Sequence, residues 1–171
     1  MKTADELRHL SNLSNPEDRV DYGNFLITFN VQCRGNAEQV LQNCREVLAL
    51  VLQQYEGTWP SEEEWFKILP QWFIQQCAAE KTLEEDEQYT ARWRTLSREE
   101  QIQELEQERW SVMEWVSWFD LDEPRYWFWW DAVIENSNSF WVTLEAIDIP
   151  FPYGSFEWLL KASGAIQVAE I

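Results

Sequence analysis

Two alternating stretches toward the end of this chain constrain its fold most. Tyr126, Phe128, Trp130, Ala132 and Ile134 alternate with Trp127, Trp129, Asp131 and Val133. After Asn136-Ser137-Asn138, a turn by composition, Phe140, Val142, Leu144 and Ala146 alternate with Trp141, Thr143, Glu145 and Ile147. A period of two sends successive side chains to opposite faces of a strand, so the pair predicts a β-hairpin. A three-residue loop at Asn136–Asn138 sets Ile134 opposite Phe140 and Ala132 opposite Val142, with both apolar sets on one face.

The rest of the chain supplies partners for that hairpin. Phe25, Ile27, Phe29 and Val31 alternate with Leu26, Thr28, Asn30 and Gln32, which predicts another strand. Asn36 is placed to cap a helix over 37–55, where Val40, Leu41, Cys44, Val47, Leu48, Val51, Leu52 and Tyr55 form one apolar stripe. Thr3 and Glu6, Ser61 and Glu64, and Ser97 and Glu100 each have the spacing of a capping box. Pro70 should kink or split the helix that follows Ser61. Asn15-Pro16 through Gly23-Asn24 reads as a loop, and residues 80–96 are highly charged. Ile102, Leu105, Val112, Val116 and Phe119 share a helical face, with a bend expected at Arg109-Trp110-Ser111. Ser155 can cap a short helix, Gly164 can stop it, and Ala165 to Ile171 reads as a last strand.

Together these elements predict an α+β protein with a ferredoxin-like β-α-β-β-α-β antiparallel sheet. A helical insertion of about residues 58–123 would follow the first framework helix, within a single domain spanning 1–171. Phe25, Ile27, Phe29, Phe128, Trp130, Ile134, Val142 and Leu144 would face the helices. The rival architecture is a mostly helical protein with a three-stranded sheet.

The second sheet face would carry Leu26, Thr28, Asn30, Trp127, Trp129, Asp131, Trp141, Thr143 and Glu145. Large aromatics among polar groups suit a protein-binding face, because tryptophan is enriched at interface hot spots. The expected site is therefore Trp127, Trp129 and Trp141 as apolar anchors, with Asp131 and Glu145 orienting a basic partner. The competing expectation is that the insertion folds over this face and buries those indoles, since Trp65, Trp72, Trp110 and Trp115 also need a place to pack.

Charge narrows the partners. Thirteen basic and 31 acidic side chains give a net charge of -18, which repels nucleic acid and anionic membrane surfaces. Ser139 to Leu144 lacks the basic residue and glycine of a base-stacking RRM strand. No apolar run approaches the length of a membrane span, and the start reads as no signal peptide. Cys33, Cys44 and Cys77 form no close pair, which argues for a reducing, cytoplasmic setting. Arg34 beside Cys33 could lower that thiol's pKa. His9 is the sole histidine, and Glu84–Glu87 lacks calcium-loop spacing, so neither a metal nor another cofactor is expected. With no nucleophile elbow or phosphate-cradling glycine loop, the chain is not expected to be an enzyme.

The function expected first is binding or adaptor work through protein contacts, including self-association. An acidic inhibitor or immunity-type protein that occupies a basic site is the second expectation. An enzyme or ligand binder with a pocket between sheet and insertion is the third.

Overall fold

The structure, a computed structural model, describes residues 1–13, 18–107 and 109–171, without the side chains of 105–107. The expected loop start at Asn15-Pro16 and the side chain of Leu105 lie outside the described residues. Among those described, the elements are α1 (Thr3–Leu10), β1 (Phe25–Cys33), α2 (Ala37–Leu52), α3 (Glu62–Ile68), α4 (Gln71–Ile74), α5 (Leu83–Trp93), α6 (Arg98–Gln107), α7 (Val112–Ser117), β2 (Trp127–Asn136), β3 (Ser139–Ala146), α8 (Gly154–Ser163) and β4 (Ala165–Glu170). The fold is α+β, with one four-stranded antiparallel sheet in the order β2-β3-β1-β4.

Local chemistry sets most boundaries. Asn36 adopts a left-handed conformation and its side chain accepts the Gln39 N–H, starting α2. The helix is shorter than its apolar stripe, because Gln53–Glu56 tightens into a 3-10 turn. Leu69 and Pro70 separate α3 from α4, as a proline without a backbone donor should. Capping boxes form at Ser61–Glu64, Thr82–Glu85 and Ser111–Glu114. The last of these splits the expected long helix into α6 and α7. Gly164 ends α8 at φ +119°, and a Cβ there would stand 3.1 Å from Val40 Cγ2. Conformation and close approach both demand glycine.

Two expected caps are corrected. Thr3 is already inside α1, whose N-terminal side chains make no capping bond, and Glu6 turns inward instead. Ser155 lies inside α8 and spends its hydroxyl on the Trp127 indole N–H, 3.0 Å away.

The core lies between one sheet face and the helices. Phe29, Val31, Val142 and Leu144 meet the buried stripe of α2 and the inner side of α8. The insertion extends this core through a chain of rings. Phe29 touches Phe156, Phe156 touches Trp127, and Phe119, Trp115 and Phe73 follow, with centroids 4.9–5.7 Å apart. Each such pair adds about 0.5–1.5 kcal/mol beyond its buried area. The junction between insertion and sheet is thus filled with rings where a pocket was the third expectation.

Around Trp129 and Trp130, the outer edge of β2 is covered by α1. The buried Glu6 carboxylate accepts the Trp129 N–H at 2.8 Å and two Arg125 N–H groups at 2.6 and 2.9 Å. His9 donates Nδ1–H to the Trp130 carbonyl at 2.7 Å. Unpaired strand edges invite pairing with other chains, and here side chains from a helix take those bonds.

Candidate functional site

The hairpin register is the expected one at its turn: Ala132 pairs with Val142 and Ile134 with Phe140. It changes at Trp130. Trp129 stands opposite Leu144 and Asp131 opposite Thr143, so Trp130 is an extra residue in β2. A bulge of this kind reverses the side-chain alternation on one side of itself. Trp127 and Trp129 therefore share the helix face with Ala146 and Leu144, and are 3% and 0% exposed. Their expected place on the open face is corrected. So is the inward placement of Phe128 and Trp130, which are half-exposed. The Trp130 ring lies 4.6 Å from that of His9.

Asp131 and Trp141 remain on the second face, both half-exposed. Across the strands, Val133, Trp141, Asn30 and Ala169 form one row, and Asp131, Thr143 and Thr28 form the next. Thr28 and Thr143 share a hydroxyl hydrogen bond at 3.1 Å. Glu145 belongs to this face but is only 1% exposed. Its Oε1 accepts the Asp21 N–H at 2.9 Å and the Asn24 amide at 2.8 Å, so residues 18–24 cover that end of the sheet. Glu145 holds a loop and does not present a charge.

The surface that remains has a half-exposed indole at its centre, Val133 58% exposed beside it, and short polar side chains around both. The helices α2 and α8 pack on the opposite face, and α1 lies along the edge of β2 beside Trp130. Val133 and Ala169 were missed as members of this face. Four consecutive aromatics, Trp127 to Trp130, hid the change, since none of them is polar enough to mark a face.

The cysteines lie elsewhere. Burial pushes Cys44 up to about 12 and Cys77 up to about 11. Cys33 is also raised by burial, which overrides the expected influence of Arg34. Among the described residues, no group of three or more His, Cys, Asp or Glu side chains is arranged to hold a metal. Among the described residues, no helix is long and apolar enough to cross a membrane.

No family model matches the chain, and comparisons with curated proteins and with solved structures find no match.

Proposed function

We propose that this protein is a binding or adaptor protein acting through protein–protein contacts, with the second sheet face as its docking surface. Trp141 is the apolar anchor, Val133 extends it, and Asp131 orients a basic group of the partner. Trp127 and Trp129 support the face from beneath. One observation carries this reading: α2 and α8 pack on the other side of the sheet, and the partly exposed Trp141 indole lies on this face beside the exposed Val133 and among polar side chains. Buried aromatics surrounded by a polar rim are the common arrangement of interface hot spots.

The scaffold we infer is ferredoxin-like. Supporting it are the framework order β1, α2, β2, β3, α8, β4 and the strand order read from the far edge, β4-β1-β3-β2. Helices α3 to α7 then form the insertion between α2 and β2.

Capture from the native host lysate tests the function, with wild-type and Trp141→Asp protein as baits at low and high salt. A partner retained by the wild type and lost by a folded Trp141→Asp protein supports this face. Equal retention by both would remove it. The acidic-inhibitor reading is favoured by the exposed acids of α5 and α6, and predicts capture that disappears at high salt.

A further inference from the structure

The C-terminal end of α1 and the outer side of α2 meet around an open cavity of about 600 Å³. Leu10, Ala49 and Leu50 give it an apolar floor, and Arg45 and Glu46 line its wall. Arg45 and Glu46 are consecutive in α2, so they point about 100° apart around the helix and do not face each other.

Arg45 stands apart from the other half-buried arginines, Arg8 and Arg125. Arg8 holds Asp5 and Asp18, and Arg125 holds Glu6. Arg45 has no ion pair among the described residues. Its guanidinium donates to the side-chain oxygen of Asn12, a residue in the left-handed conformation at φ 55°. Its Nε–H is enclosed with no acceptor. Burial pulls its pKa below the usual arginine value, and Asp131 opposes this from beyond ion-pair range. A half-enclosed cation without a carboxylate costs stability, and a buried donor without an acceptor calls for a partner. The chain has 31 acidic side chains, so composition does not explain the missing one. Glu46 is the counterpart: it is exposed and makes no ion pair or hydrogen bond among the described residues.

We propose that this cavity binds a free α-amino acid with an aliphatic side chain. Its carboxylate would meet Arg45, its ammonium Glu46, and its side chain the floor of Leu10, Ala49 and Leu50. The two unpaired charges select this occupant. A simple anion would be repelled by Glu46 and by the net charge of -18, and a simple cation by Arg45. A zwitterion is neutral overall and carries both charges on neighbouring atoms, as two adjacent residues of one helix require. The volume suits a small molecule.

The test is a chemical-shift titration of the full chain with leucine, N-acetyl-leucine and leucinamide. N-acetyl-leucine lacks the ammonium and leucinamide lacks the carboxylate. Leucine is expected to shift the amide signals of residues 10–12 and 42–53, and to bind at least about tenfold tighter than either derivative. Glu46→Gln should weaken leucine about tenfold and leave the melting temperature unchanged, because the side chain is exposed. Arg45→Gln should weaken it at least as much. Trp141→Asp should leave leucine binding intact, which separates this cavity from the sheet face. The absence of a saturable shift with leucine would overturn the proposal. So would equal binding of all three compounds, binding of N-acetyl-leucine alone, or full affinity in a folded Glu46→Gln protein.

Discussion

Glu6 and Trp129, 123 residues apart in sequence, are joined by a 2.8 Å hydrogen bond from a strand-edge N–H to a carboxylate with no exposure to solvent. The same carboxylate binds Arg125, whose side chain is 8% exposed. Burial pulls the Arg125 pKa down, but the charge and hydrogen bonds of Glu6 outweigh this and hold it above the usual value. The N-terminal helix, the end of the insertion and the edge of the sheet meet at this ion pair.

Breaking the pair from one side leaves a buried charge uncompensated. Glu6→Gln is expected to destabilise the protein by about 3–5 kcal/mol, measured by urea unfolding. Replacing both partners, Glu6→Gln with Arg125→Met, should cost less than Glu6→Gln alone. A double variant as unstable as the sum of its two single variants would show that Glu6 and Arg125 act independently.

The thiols offer a chemical test of the core. Cys33, Cys44 and Cys77 are all buried, and burial raises each pKa, so thiolate is scarce at pH 8. A thiol-reactive disulfide reagent should titrate none of the three rapidly in native protein and all three in denaturant. A fast-reacting thiol in the native state would place that cysteine outside the core.

Helices α5 and α6 should respond to acid. Backbone hydrogen bonds from Thr82 and Ser97, followed by bonds from the hydroxyls of the same residues, depress the Glu85 and Glu100 carboxylates below the usual 4.5. A depressed carboxylate adds stability that is present above its unfolded pKa and is lost as pH falls through its folded pKa. Amide exchange in α5 and α6, corrected for its intrinsic pH dependence, should therefore be constant from pH 7 to 5 and accelerate below about 4. Unchanged protection at pH 3 would mean the caps contribute nothing to these helices.

Much of the framework was legible because single residues force it. Asn36, Pro70 and Gly164 each impose a backbone conformation that neighbours do not override. The stripe of α2 and the turn-proximal hairpin register follow from periodicity. The candidate site was only half legible, for a physical reason: alternation predicts facing only while a strand keeps its register. One extra residue at Trp130 moved two of the three expected indoles to the core. Glu6 and Ser155 were misplaced for a related reason. Each fits a helix cap locally, yet a buried donor elsewhere, the Trp129 N–H or the Trp127 indole, claims its oxygen.

Parallel denaturation of Trp129→Asp and Trp141→Asp measures most directly whether the bulge divides the indoles between the two faces. Trp129→Asp should lose about 4 kcal/mol or more, since it puts a carboxylate in a filled core. Trp141→Asp should lose about 1 kcal/mol and keep native near-ultraviolet dichroism. A Trp129→Asp protein as stable as the wild type, or a Trp141→Asp protein that unfolds, would contradict the assignment and remove the docking face with it.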